Sequence, residues 1–113
     1  MTTTGSRVVA KDGSSFVQVA TFPLVHPYTD SLFARVQTEL QTRMADVAAQ
    51  AHGVVTSHNV VDVDGNRSHS YVVTIGKRAD RYTFVLRGKR EFLLVCSADD
   101  AVCDELAASF VVV

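Results

Sequence analysis

With 113 residues the chain fits one α+β-sized domain, residues 1–113, and is too short for two ordinary ones. Its 47% apolar and 20% charged residues suit a globular protein with a packed core, and a formal net charge of −1 excludes a general pull toward nucleic acid or anionic membrane. No apolar run approaches the roughly 20 residues needed to span a bilayer, so no membrane insertion is expected.

The start "MTTTGSRVVAKDG" lacks a charged opening followed by an apolar run, which reads as a cytoplasmic protein. An exported mature domain given a new initiator Met would look the same. Residues 1–6 are small and polar and are expected to be disordered. "RVVAKDGSSFVQVATF" then reads as two strands around a turn at Lys11, Asp12 and Gly13, where Asp-Gly supplies positive φ. The second arm alternates, with Phe16, Gln18, Ala20 and Phe22 on one face and Val17, Val19 and Thr21 on the other. Pro23 and Pro27 in "PLVHP" are expected to break it, because neither can donate to a ladder.

One long helix follows. Thr29 or Asp30 can cap its start, and Gly53 sits where a left-handed C-terminal residue is expected. Phe33, Val36, Leu40, Met44, Val47 and Ala51 recur at spacings of three and four, which sets one apolar stripe toward a core. Gln37, Gln41, Arg43, Asp46 and Gln50 fall on the wet side, with Glu39 and Arg43 as an i,i+4 pair.

From Val54 to Cys96 the period changes to two. "VVTSHNVVDV", "RSHSYVVTI", "RYTFVLR" and "EFLLVC" read as four strands. The joints are Asp64-Gly65-Asn66, the "GKRAD" stretch at 76–80 and Arg87-Gly88-Lys89, each short enough to force antiparallel neighbours. A short helix closes the chain, with Ser97 and Asp100 at capping-box spacing, Asp99 and Asp100 favourable near its start, and Val102, Cys103, Leu106 and Phe110 as its inner face. The expected fold is α+β, an antiparallel meander packed against a long helix and a short C-terminal one.

Catalytic signatures are missing. No histidine pair has the i,i+4 spacing of a helical zinc site. His58 and His69 lie on neighbouring strands and can approach across the ladder, but two ligands do not make a metal site. "DVDGN", residues 62–66, starts like a calcium loop, yet position 73 is Val and the surroundings are strand, so it is a hairpin turn. No serine sits in a nucleophile elbow, and the lone Gly before Lys77 has no phosphate-loop spacing. The basic residues Lys77, Arg78, Arg81, Arg87, Lys89 and Arg90 split between the two ends of the strand at 81–87, on the order of 20 Å apart. Asp62 and Asp64 share an end with the second group, so solvated, salt-bridged turns are expected there rather than a nucleic-acid face. The chain reads as a non-enzyme without metal or cofactor.

The only cysteines are Cys96 and Cys103. A Cys-x₆-Cys spacing with no second pair suits neither a structural zinc nor a redox motif. Cys96 ends the last strand and Cys103 lies one turn into the last helix, so the chain reversal brings them within the 5.5–6 Å Cα separation typical of a disulfide. A bond and two buried thiols both remain open, since cytosolic thiols stay reduced.

From about Ala34 to Phe110 the pattern resembles the PsbP-like superfamily, and the chain looks like a small bacterial member of it. The superfamily includes the thylakoid oxygen-evolution subunit PsbP, the Mog-type Ran-binding factor and bacterial PsbP-like lipoproteins. The residues carrying the likeness are the helix ending "AAQAHGVV", then "VDVDGNRSHSYVV", "YTFVLRGKREFLLVCSA" and the closing "ELAASF". The family's aromatic N-terminal region around a Gly-Trp has no counterpart here, so no partner-binding residue carries over. The resemblance implies an α/β/α sandwich that works by binding or scaffolding.

Two functional expectations compete. One is a non-enzymatic domain that binds a protein partner through an edge strand or the apolar segment "FPLVHPY", where Phe22, Leu24, Val25 and Tyr28 would be partly exposed. The other is a small-molecule binder or enzyme whose pocket between sheet and long helix is lined by His58, His69, Tyr71 and Tyr82. A homodimer through an edge strand is compatible with both.

Overall fold

The computed structural model describes residues 4–9, 16–97 and 100–111. Its elements in chain order are β1 (Thr4–Val9), β2 (Phe16–Tyr28), a 3₁₀ turn (Asp30–Leu32), α1 (Phe33–Gln50), β3 (Val54–Val63), β4 (Asn66–Ile75), β5 (Arg78–Ser97) and α2 (Asp100–Ser109). The strands form one antiparallel sheet in the order β1-β2-β5-β4-β3, so the fold is α+β as expected. Residues 4–6 belong to β1 rather than to a frayed end, because their backbone pairs with residues 19–21 of β2. The turn expected at Lys11, Asp12 and Gly13 lies outside the described residues.

β5 pairs with β4 through residues 78–84 and with β2 through residues 88–97. Twenty extended residues would run on the order of 60 Å, whereas the longest dimension of the molecule is 38 Å. The element therefore doubles back at Gly88, whose φ is 59°. The Arg43 guanidinium confirms the reversal, lying 5.0 Å from the Phe84 ring centre and 2.7 Å from Glu91. This is the joint expected at Arg87-Gly88-Lys89. The other turns also stand where the sequence puts them: Asp64 (φ 50°) and Gly65 (φ 77°) join β3 to β4, and Gly76 (φ 61°) starts the link to β5. Asp62 Oδ1 accepts the Gly65 N–H at 2.9 Å, which makes the calcium-like "DVDGN" a braced hairpin turn.

Each face of the sheet carries one helix. On one face Leu40, Met44 and Ala48 of α1 pack with Tyr71, Val73 and Phe84. On the other, Leu106, Ala107 and Phe110 pack against Val63, Val85, Phe92 and Leu94. Val102, expected on the inner face of α2, is instead exposed, because Cys103 and Leu106 orient the helix and Val102 falls beside that stripe. Ser97 ends β5; the capping expected around residues 98–100 lies outside the described side chains.

The end of α1 corrects one expectation. The left-handed residue is His52 (φ 59°), not Gly53. His52 N–H donates to the Ala49 carbonyl and Gly53 N–H to the Ala48 carbonyl at 2.8 Å, a Schellman closure. Gly53 is needed for space, since a Cβ there would stand 2.7 Å from Ile75 Cγ1 and from the Thr74 carbonyl oxygen. At the other end Thr29 precedes the 3₁₀ turn, but its hydroxyl bonds to Ser31 Oγ at 2.8 Å rather than capping a backbone N–H.

Candidate functional site

The prolines do not end β2. They bend it. Pro23 pairs with Arg90 and Tyr28 with Gly88, so four residues of β2 stand opposite Lys89 alone. With no N–H at positions 23 and 27, the intervening chain cannot stay in the ladder and bulges away from the sheet. The bulge carries Leu24, Val25 and His26 to a position facing the first half of α1.

Between them lies a cleft of about 470 Å³. Its apolar walls are Leu24, Val25 and Pro27 from the bulge, Leu32 and Val36 from the helix start, and Leu86 from the sheet. Val25 is 88% exposed, the largest exposure of any sizeable apolar side chain described. Glu91 and Arg43 form the inner polar wall through two bonds, Nη1 to Oε1 at 2.7 Å and Nη2 to Oε2 at 3.1 Å. Arg43 thus reaches across to the sheet instead of pairing with Glu39 on its own helix. The bidentate geometry and the buried carboxylate favour that partner.

A second, more polar cleft of about 290 Å³ shares Tyr28 and Leu86 with the first. It is bordered by Asp30, Arg67 and Arg87 and by the turns at Gly65 and Gly88. Arg67 bonds Asp30 at 3.2 Å and lies over the Phe33 ring at 3.9 Å, so the Asp30 carboxylate is engaged, and Arg87 adds a second cation to the same lining. Burial raises the Tyr28 phenol above its ordinary pKa, Asp30 adds to the rise and Arg67 opposes it. Tyr28 is therefore a neutral hydroxyl at the junction of the two clefts.

Three of the four residues expected to meet a partner, Leu24, Val25 and Tyr28, line the first cleft; Phe22 is half-buried on the strand behind it. The second expected set also comes together, but in packed form. His58 Nε2 and His69 Nδ1 are 2.9 Å apart, and His69 Nε2 donates to the Phe33 carbonyl at 2.9 Å. Phe33 stacks on His69 at 3.9 Å, and Tyr71 packs 4.7 Å from His58 and 6.1 Å from Phe84. His69 and Tyr71 are buried, and Tyr82 packs at the border of the same core. Burial lowers the His69 pKa and raises those of Tyr71 and Tyr82. The Tyr71 hydroxyl has no hydrogen-bond partner among the described residues. Among the described residues no group of three or more His, Cys, Asp or Glu side chains could hold a metal ion.

Two of the basic residues are ion-paired, Arg78 with Asp80 at 3.1 Å and Arg81 with Asp104 at 2.7 Å. Cys96 and Cys103 form a disulfide with Cα atoms 5.7 Å apart, both residues buried. It ties the end of β5 to the first turns of α2. The sequence did not reveal Arg43, Glu91, Leu32, Val36 and Leu86 as cleft walls, since helix periodicity assigns Val36 to a core and Arg43 to solvent. The Pro-x₃-Pro spacing was the available signal, because two missing donors four residues apart leave a bulge as readily as a break.

No protein-family model matches this chain, and no curated protein matches it either. No described helix is long and apolar enough to cross a membrane.

Proposed function

We propose that this domain is a non-enzymatic, protein-binding module, and that its partner docks as an extended segment along the two joined clefts. The observation that carries the reading is the Pro23–Tyr28 bulge, which holds Leu24 and Val25 out against α1 and leaves a groove open at the surface. Apolar side chains of the segment fit against Leu24, Leu32 and Val36. An acidic residue beyond them meets Arg87, past the neutral hydroxyl of Tyr28. The polar groups in the first cleft already satisfy one another, Arg43 with Glu91, which suits a surface that recognises shape more than it performs chemistry.

A small molecule is the competing occupant, since about 470 Å³ lies within the range of ligand sites. The exposure of Val25 favours the peptide, because a ligand pocket covers most of its apolar lining. The resemblance to the PsbP-like superfamily supports the binding role by analogy. The buried disulfide supports maturation in an oxidising compartment, hence export of the domain.

Peptides selected from a random display library on the purified protein test the reading. Enrichment of apolar segments followed by an acidic residue, with binding lost in Val25→Asp and weakened in Arg87→Glu, is the expected result. Selected peptides that bind Val25→Asp as well as the parent, or a library that yields no binder, would overturn it. Val25 is exposed enough that the substitution leaves the fold intact.

A further inference from the structure

The far edge of the sheet is open in a way that the groove does not use. β3 pairs only with β4 among the described strands, so along ten residues its outer backbone groups have no ladder partner. Sheet edges exposed to water normally carry Lys, Pro or an inward charge that discourages pairing. From Val54 to Val61 this edge carries no Lys, Arg, Asp, Glu or Pro, and two large apolar side chains, Val54 and Val60, are 65% and 51% exposed.

The register of side chains along the edge is self-complementary. His58, Val60 and Asp62 share one face, opposite Tyr71, His69 and Arg67 of β4. Let a second copy of β3 run antiparallel with Val60 facing Val60 on a two-fold axis. His58 of each copy then faces Asp62 of the other, two residues either side of the axis. His58 uses Nε2 toward His69 and its Nδ1 has no partner among the described residues. Asp62 uses Oδ1 for the Gly65 N–H, within its own turn. The exposed Val60 pair sits on the axis, flanked on each side by a His58 imidazole and an Asp62 carboxylate, so no like charges face each other. A one-residue slip would lose both matches, because alternate residues point to the opposite face.

We propose that β3 is a homodimerisation edge, pairing antiparallel with a second copy about an axis at Val60 to give one continuous sheet. The interface is isologous, as a two-fold requires. It leaves the first cleft, with Val25, free, since none of that cleft's lining residues comes from β3 or β4.

Sedimentation equilibrium over a concentration series, combined with single cysteine variants, tests the register as well as the association. A reversible dimer is expected, weakened at least about 10-fold by Val60→Lys, which places like charges against each other on the axis. Mild oxidation is expected to join Val60→Cys into a covalent dimer. Val54→Cys is expected to stay uncrosslinked, because six residues from the axis the two copies of position 54 stand roughly 40 Å apart. A protein that remains monomeric throughout the series, or Val54→Cys crosslinking as readily as Val60→Cys, would overturn the proposal. Peptide binding at the groove is unaffected by either outcome, so the two readings fail separately.

Discussion

The two faces of the sheet are closed by different means. On one face the 18 residues of α1 lay a full stripe over the sheet, with Leu40, Met44 and Ala48 buried against Tyr71, Val73 and Phe84. On the other face α2, 10 residues long, contributes Leu106 and Ala107, followed by Phe110 just past its end, with Cys103 bonded to the sheet through Cys96. A helix that short is marginal without help from packing or a covalent tie. The long helix can therefore leave part of its surface to a groove and still hold, whereas the short one needs a staple. Spare apolar surface sits beside the element that can sustain its loss.

The largest effect should come from the self-sufficient face. Met44 is 1% exposed and central to the α1 core. Met44→Ala removes a long buried side chain and is expected to cost about 2–5 kcal/mol in urea denaturation. A loss below about 1 kcal/mol would mean that the site collapses to fill the space, and that α1 is less firmly packed than its burial indicates.

Next comes the stapled face. Replacing both cysteines with alanine is expected to cost on the order of 2–3 kcal/mol, given the short loop between them. The informative readout is hydrogen exchange residue by residue. Protection should fall in α2 and persist in α1 and β4, because the α1 core does not depend on the bond. Uniform loss across both helices would show the faces to be one cooperative unit and remove the distinction drawn between them.

How legible these features were in sequence follows from what each depends on. The strands β3 and β4, their turns and most of the stripe on α1 rest on local periodicity and on Asp-Gly and Gly positions and stand where the pattern puts them, except that Ala48 is buried in place of Ala51, which lies past the end of the helix. The approach of Cys96 to Cys103 was also readable, because six residues must reverse the chain between a strand and a helix. The bend in β2 was not, since whether Pro23 and Pro27 stop a strand or bulge it depends on the opposing Arg90, Lys89 and Gly88. Nor was Arg43, whose choice between Glu39 and Glu91 is settled by a residue 48 positions away. The left-handed His52 defeated the rule that glycine takes that place, because Gly53 was already committed to the close approach of Ile75 and Thr74. The groove is built from these non-local features, and so it was visible only as an apolar segment with no stated counterpart.

The smallest effect concerns the helix start on the α1 face, where a histidine does work that an apolar residue would do elsewhere. His69 is 2% exposed, donates from Nε2 to the Phe33 carbonyl and accepts at Nδ1 from the His58 ring. Burial is the main cause that lowers its pKa below 6.5; the bond to Phe33 opposes the shift, and His58 and Arg67 add to it. The folded protein therefore holds fewer protons at this site than the unfolded chain. Stability from this group is complete above about pH 6.5 and is lost as the pH falls through that value toward the folded pKa, with a slope of at most about 1.4 kcal/mol per pH unit. Urea midpoints are therefore expected to fall as the pH is lowered from 7 to 5. An NMR titration of the His69 ring proton separates this from other groups: a midpoint at or above 6.5 in the folded protein would remove His69 as the source.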